Sequence, residues 1–320
     1  MDISIVVPLY NEDESLPELC AWIERVVVAN NFSYEVLLVD DGSKDKSWQV
    51  VQELRAKNSH IKGIRFMRNY GKSAALNEGF KAAQGNVVIT MDADLQDSPD
   101  EIPELYDMVM NQGYDLVSGW KKKRYDPLSK TIPTKLFNWT NRVLSGVHLH
   151  DMNCGLKAYA NRVVKSIEIF GEMHRYIPVL AKGAGFNNIG EKVVAHQARK
   201  FGVSKYMGWS RFINGFLDLF TVNFITRFGK KPMHFFGPWG VLMFLFGFGL
   251  VFYMTVAKII WGDAYAITNK PAFYIAQTAM VLGTIFFMAG FLGELISRNS
   301  PERNNYLVQE RVGITKEHQD

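Results

Sequence analysis

Asp92 and Asp94 have the types and spacing to do chemistry, and they stand in the run Val88-Ile-Thr-Met-Asp92-Ala-Asp94-Leu-Gln96-Asp97. The β-branched residues ahead of them predict a strand, so both carboxylates fall just past a strand end, with Gln96 two residues further on. Carboxylates at i and i+2 can converge on one hard cation. Oxygen ligands that leave coordination positions open suit Mg²⁺ or Mn²⁺ holding a diphosphate. Asp-x-Asp also occurs on many solvated loops, so its setting matters: the carboxyl end of a central strand in an open α/β sheet is where such folds bind ligands.

Three further clusters suit the same ligand. Pro8, Tyr10, Asn11 and Glu12 follow one apolar run, and Asp40, Asp41, Gly42 and Ser43 follow another. An aromatic ring to cover a base, carboxylates to accept from a base N–H or a ribose hydroxyl, and a glycine permitting close backbone approach would make a nucleoside pocket. Asp-Gly-Ser is equally a common turn and helix start, so the residues alone leave both readings open. Arg68-Asn69-Tyr70-Gly71-Lys72-Ser73 ends like a P-loop, but the Walker spacing needs Gly where Phe66 stands. Lys72, at a helix start facing the same cleft, can still neutralise a diphosphate.

Placing these clusters together requires strands alternating with helices. Ile3–Pro8, Tyr34–Val39, Ile61–Met67, Val87–Met91 and Leu116–Ser118 read as strands. Pro17–Asn30, Ser47–Lys57, Ser73–Gln84 and Pro99–Gln112 read as helices, with Ser47 and Ser98 as N-caps. The alternation predicts an α/β domain around a largely parallel sheet, without a G-x-G-x-x-G. Cys20 and Cys154 are far apart, which points to reduced thiols rather than a disulfide framework or zinc site. The net charge of +4 is spread along the chain, which argues against nucleic acid as a partner. Met1-Asp2 leads straight into an apolar strand with no basic leader, so the N-terminus is expected to stay in the cytoplasm.

The mean hydropathy of -0.06 averages two environments. The 320 residues include 36 Lys+Arg and 32 Asp+Glu, yet only Lys258, Asp263 and Lys270 fall between 232 and 293. Phe235–Ala257 and Ala272–Gly293 are uncharged for 23 and 22 residues, enough at ~1.5 Å per residue to cross a ~30 Å hydrocarbon layer. Their short connection predicts a transmembrane hairpin, and the excess of Lys and Arg on its flanks places both termini inside. Ahead of it, Trp209, Phe212, Ile213, Phe216, Leu217, Phe220 and Phe224 form an apolar stripe with Arg211, Asn214, Asp218 and Arg227 opposite. That pattern suits a helix in the membrane interface; packing on the soluble core is the other reading. The expected organisation is a soluble domain over 1–205, an interfacial amphipathic segment over 206–231, two membrane helices within 232–297 and a polar cytoplasmic tail over 298–320.

Taken in order and spacing, Pro8-x-Tyr10-Asn11-Glu12, Val39-Asp40-Asp41-Gly42-Ser43, Arg68-Asn69-x-Gly71-Lys72 and Asp92-Ala-Asp94-Leu-Gln96 resemble the family 2 inverting glycosyltransferases, which have the GT-A (Rossmann-like) fold. Asp151-Met-Asn-Cys154-Gly155 resembles the Asp-x-x-Ser-Gly of their polyprenyl-phosphate branch. His196-Gln-Ala-Arg199-Lys-Phe-Gly202-Val-Ser204-Lys205 resembles its His-x-x-Arg-x-x-Gly-x-Ser-Lys. That branch includes dolichol-phosphate mannose synthases and bacterial undecaprenyl-phosphate glycosyltransferases, and the resemblance spans residues 3 to 293. It implies that Pro8, Tyr10, Asn11, Glu12, Asp40, Asp41, Gly42, Asn69, Gly71 and Lys72 hold a UDP- or GDP-sugar, and that Asp92, Asp94 and Gln96 hold Mg²⁺ or Mn²⁺ with its diphosphate. It also implies that Arg199, Ser204 and Lys205 hold the acceptor phosphate, that the enzyme sits in a bacterial inner membrane, and that it is a homo-oligomer, a tetramer being one such form. Cys154 stands where the branch has Ser.

The cations agree about the acceptor. Lys121, Lys122, Lys123, Arg124, Lys130 and Lys135 follow one strand, and Arg199, Lys200 and Lys205 precede the amphipathic helix. Cations where a soluble domain meets a bilayer attract a lipid phosphate or, less specifically, anionic lipids, at ~1 kcal/mol each. Lys121, Arg124 and Lys130 therefore join the acceptor-phosphate candidates. A phosphate oxygen is already anionic and needs no strong base, which leaves Asp151 as an orienting residue or weak base beside Lys72, Asp92 and Asp94. Against this stand a non-catalytic membrane scaffold, a processive polysaccharide synthase, whose Gln-x-x-Arg-Trp is absent, and a nucleotidyltransferase, whose Gly-rich and Lys signature is missing. Asn138-Trp-Thr140 matches a glycosylation sequon, which a cytoplasmic position makes a chance match.

Overall fold

The computed structural model describes residues 1–122, 142, 145–169, 171–197, 209–229, 231–262 and 266–299. Arg124, Lys130, Arg199, Ser204 and Lys205 lie outside these residues, as do Lys123, Lys135, Lys200, the sequon at Asn138 and most of the tail.

Strands β1 (Ile3–Leu9), β2 (Tyr34–Asp40), β3 (Ile61–Arg65), β4 (Val87–Thr90), β5 (Leu116–Trp120), β6 (Lys157–Ala160) and β7 (Ile189–Val193) form one sheet in the order β3-β2-β1-β4-β6-β5-β7. The first four neighbours run parallel, β6 is antiparallel to both β4 and β5, and β7 returns parallel to β5. The connecting helices are α1 (Leu16–Ala29), α2 (Ser47–Lys57), α3 (Lys72–Ala82), α4 (Ile102–Met110), α5 (Asn161–Val164) and α6 (Ile177–Gly183).

Alternation along buried strands divides the core in two. Ile3, Ile5, Val7, Val36, Leu38, Val87 and Ile89 face α1 and α4 on one side of the sheet. Val6, Leu37, Val39 and Val88 face Ala75, Leu76 and Phe80 of α3 on the other, where Tyr159, Tyr176 and Ile177 complete the layer. Gly79 lets α3 approach β1, since a Cβ there would lie 2.3 Å from Val6 Cγ1. Within β2 the buried carboxylate of Glu35 accepts from Ser4 Oγ (2.5 Å), Lys62 Nζ (2.7 Å) and the Gln84 amide (2.8 Å). Burial opposes its charge, but these three donors outweigh it and hold the carboxyl below the usual range.

Several local expectations need correction. Lys46, not Ser47, is the N-cap of α2; Ser47 is its first residue, and its hydroxyl accepts from the Glu12 amide (2.8 Å). Ser98 does cap, accepting from Asp100 N at 3.3 Å, but it opens a 3₁₀ turn over Pro99–Glu101 that precedes α4. β3 stops at Arg65, and Met67 is 98% exposed.

The chain divides into Met1–Asn223 and Phe224–Asp320. Helix α7 (Trp209–Phe228) crosses that division, and its Leu219 and Val222 are buried in the second core layer. Asp218, expected opposite the apolar stripe, is half-buried, while Leu217 and Phe220 of that stripe are exposed. In the second unit, α8 (Met233–Trp261) and α9 (Pro271–Asn299) are long and apolar enough to cross a membrane. They touch through glycine: a Cβ on Gly240 would meet the Gly283 carbonyl oxygen at 2.8 Å, and one on Gly247 the Ala276 oxygen at 2.5 Å. Gly240 and Gly247 on one helix, and Ala276, Gly283 and Gly290 on the other, recur at seven-residue steps, the period of a close left-handed helix pair.

Glu35→Gln should cost about 1–3 kcal/mol at neutral pH by leaving buried donors poorly matched. Because the folded carboxyl sits below its unfolded value, the wild-type advantage is present above about pH 4.3 and is lost as the pH falls through the folded value. Thermal melting of both proteins across pH 3 to 7 checks this. Gly283→Leu should separate α8 from α9 and lower the melting temperature of the detergent-purified protein, whereas Leu242→Ala, on an outward face, should leave it within a few degrees.

Candidate active site

From β1 the chain runs to β2 and β3 on one side of the sheet and returns to β4 on the other, so the loops after β1 and β4 part and open a crevice. The clusters singled out by residue type converge on this end. Tyr10–Glu12 follow β1, Asp41–Ser43 follow β2, Arg68–Gly71 follow β3 and Asp92–Gln96 follow β4.

On the β1–β3 side the polar groups chiefly hold the loops. Asp40 is fully buried, with Oδ1 accepting from Ser43 N (2.8 Å) and Oδ2 3.5 Å from Arg65. Asp41 accepts from the amides of Tyr70 (2.7 Å) and Gly71 (2.9 Å), tying the loop before α3 to the end of β2. Burial holds Asp41 above the ordinary carboxylate range, although those amides pull it down. Gly42 (φ 72) does allow a close approach, but the group that approaches is backbone: a Cβ would lie 2.5 Å from Arg68 C and 2.7 Å from Asn69 N. Asn11, at φ 53, accepts from Lys44 N (2.8 Å) and donates its own amide to Ser43 Oγ (2.9 Å). Tyr10 and Glu12 are half-buried, and Pro8 pairs with Val39 within the sheet.

On the β4 side, Lys72 Nζ bonds Asp92 Oδ1 at 2.5 Å, each side chain about a third exposed at 33%. Burial disfavours both charges, and each overcomes it for the other: Asp92 is held well below the usual carboxylate range and Lys72 above its own. Asp94 is buried and its Oδ1 receives the Gln96 amide (3.3 Å) around a turn in which Leu95 sits at φ 59, a strained conformation for a branched side chain. Gln96 also pairs with the segment after β7, through Gln197 N to Gln96 O (2.9 Å) and Gln96 Nε2 to Gln197 O (3.3 Å). The start of the His196 motif is thereby fastened to the Asp-x-Asp turn. Lys121, read as an acceptor cation, is largely buried and pairs with Asp97 at 2.8 Å. Among the described residues no three His, Cys, Asp or Glu side chains gather as a metal cluster.

The Asp151–Gly155 turn packs under Asp92. A Cβ on Gly155 would lie 2.5 Å from Asp92 Oδ2, so only glycine fits. Asp151 is buried and accepts from Asn153 N (3.1 Å). Burial pushes the Cys154 thiol up to about 12, and its sulfur lies against Gly119, so this position serves packing. Three residues here escape sequence reasoning. Asp97 is buried beside the Asp-x-Asp and held above the carboxylate range by burial and by Asp92 and Asp94, despite Lys121. Lys157 is buried at the start of β6, bonds the Cys154 carbonyl, and has its ammonium pushed down by burial. His174 docks on Ser73, 101 residues earlier. Asp97 had a signal in its place one residue after Gln96; Lys157 and His174 had none.

The family model for glycosyl transferase family 2 matches residues 4–167. Over 316 residues the chain is 33% identical to the dodecaprenyl-phosphate galacturonate synthase of Rhizobium johnstonii, covering 97% of this chain and 93% of that protein. It is 35% identical over 297 residues to the undecaprenyl-phosphate 4-deoxy-4-formamido-L-arabinose transferase of Pseudomonas aeruginosa, covering 92% and 85%. Among solved structures, the Mycobacterium tuberculosis glucosyl-3-phosphoglycerate synthase in complex with uridine diphosphate aligns with a TM-score of 0.53 at 18% identity, over 70% of this chain and 79% of that one. At that identity the likeness concerns the fold, which is GT-A. With the match to its model and relatives along nearly the whole length, the chain belongs to glycosyl transferase family 2.

Proposed function

We propose that this protein transfers a sugar from a nucleotide-sugar donor to the phosphate of a polyprenyl phosphate, inverting the anomeric carbon. The observation that carries the reading is the Lys72–Asp92 pair beside Asp94 at the β1/β4 crevice. The acceptor class is supported by relatives whose names specify dodecaprenyl and undecaprenyl phosphate.

Tyr10, Asn11, Glu12 and the Asp41-tied loop of Asn69 and Gly71 line the nucleoside end, with Pro8, Asp40 and Gly42 building its backbone. Asp92 and Asp94 are hard oxygen donors too few to close a coordination shell, which fits Mg²⁺ or Mn²⁺ held jointly with a diphosphate, Gln96 alongside. When bound, that cation supplies positive charge to the diphosphate. Lys72 stabilises the negative charge growing on the leaving diphosphate, and its partner Asp92 keeps it protonated and aimed. The lipid phosphate attacks as an anion and needs no base, and Asp151 serves to orient the turn beneath Asp92. Arg199, Ser204 and Lys205, with Arg124 and Lys130, are proposed to receive the acceptor phosphate. Helices α8 and α9 anchor the enzyme in the bacterial inner membrane with both termini cytoplasmic, as a homo-oligomer.

The test is a screen of UDP- and GDP-sugars with a short polyprenyl phosphate, scored by glycolipid formation. Metal-dependent product supports the reading, and full activity in chelator would sink the cation assignment. Asp94→Asn should lower kcat by about 10²–10³-fold while leaving the melting temperature within a few degrees.

A further inference from the structure

Lys72 is held by its neighbours on both sides rather than by its own helix. Helix α3 begins at Lys72 with no side-chain cap, straight after Gly71 at φ 96, a residue with open space around it. Before Lys72, Asp41 grips the amides of Tyr70 and Gly71. After it, Ser73 Oγ receives the His174 backbone N–H at 3.0 Å and contacts His174 Nδ1 at 3.0 Å. His174 arrives on a 3₁₀ turn (Met173–Arg175) pinned by buried Met173 and Tyr176 against the same core layer as Ala75 and Leu76 of α3.

The hydrogen-bond arithmetic fixes the proton. Ser73 is 1% exposed, and among the described residues its hydroxyl contacts no other acceptor. An imidazolium would direct a second N–H at an oxygen already receiving one and strand the hydroxyl proton. A neutral imidazole accepts that proton at Nδ1 and satisfies all three groups, with Nε2 carrying the hydrogen. The surroundings agree: burial, then the charges of Lys72, Arg175 and Lys157, hold His174 well below its ordinary pKa against the pull of Asp92.

We propose that His174 is a positioning residue of the transfer reaction, which as a neutral imidazole clamps Ser73 and so fixes Lys72 at the leaving-diphosphate end of the cleft. The inference rests on the role given to Lys72 under Proposed function. An apolar side chain could fill the same space without satisfying Ser73. That difference separates a clamp from packing.

The experiment measures kcat, donor KM and melting temperature for His174→Ala, His174→Gln, His174→Asn, Ser73→Ala and the double variant Ser73→Ala/His174→Ala, with Lys72→Met as reference. Asn places an acceptor where Nδ1 stands, and Gln places its polar atoms near Nε2. The Ala and Gln variants and Ser73→Ala should lose roughly ten- to a hundredfold in kcat with donor KM little changed, since Lys72 acts on charge that develops in the transition state. His174→Asn should recover most of the loss, and the double variant should fall no further than either single. Equal losses in Asn and Gln, additive losses in the double variant, or losses that track melting temperature would overturn the clamp. Impaired Lys72→Met alongside unimpaired His174→Ala would also overturn it and leave the proposed function standing. Unimpaired Lys72→Met would remove the role of Lys72, and this inference with it.

Discussion

The ion pair between Lys72 and Asp92 is the interaction on which the rest of the crevice depends. It joins the start of α3 to the end of β4, two segments the topology places on opposite lips of the switch point. Asp92, Asp94 and Asp97 fall within six positions of one another in a largely buried turn, an arrangement that would repel itself if each carboxylate stood alone. Lys72 answers Asp92 and Lys121 answers Asp97, while buried Lys157 adds positive charge beneath the turn. The directions of shift record how well each is matched. Asp92 is lowered by its cation, whereas Asp97 stays raised because burial and two neighbouring carboxylates outweigh Lys121. Opposite charges matched this way hold the turn in one arrangement, with Lys72 and Asp92 fixed against each other at the mouth of the crevice.

Antiparallel β6 explains how the C-terminal half of the domain reaches this charge system. Its insertion between β4 and β5 brings the Asp151–Gly155 turn directly under Asp92, where a side chain at 155 would collide with the carboxylate. The segment after β7 is then stitched to the Asp-x-Asp turn by the Gln96–Gln197 bonds and the Asp97–His196 bridge. Thus the motif expected to read the acceptor begins at the loop expected to hold the donor's diphosphate.

What was legible in the sequence follows from how local each signal is. Runs such as Ile3–Pro8 and Val87–Met91 announce buried strands because both faces are covered and the apolar residues are continuous. The Asp-x-Asp is legible because its ligands are adjacent in sequence. β6 is four residues and β7 carries Gly190, Glu191 and Lys192, so neither shows a strand pattern. Ser47 looks like a cap, but its hydroxyl serves Glu12, a partner 35 residues away. Helical periodicity on α7 shows that an apolar stripe exists and not which face meets the core. Lys157 and His174 are single polar residues made meaningful only by tertiary contact.

One short turn joins these lessons. Met173–Arg175 places His174 on Ser73, next to Lys72, while Arg175 and Tyr176 lie within electrostatic reach of Asp218 on α7. α7 packs here through Leu219 and Val222. Burial raises the Asp218 carboxyl, and the charge of Arg175 opposes that shift. The same 3₁₀ turn therefore meets the start of α3 beside Lys72 and shares a core layer with Leu219 and Val222 of α7. A polar side chain is needed where the turn meets α3, because it faces a buried hydroxyl that an apolar residue would leave without an acceptor.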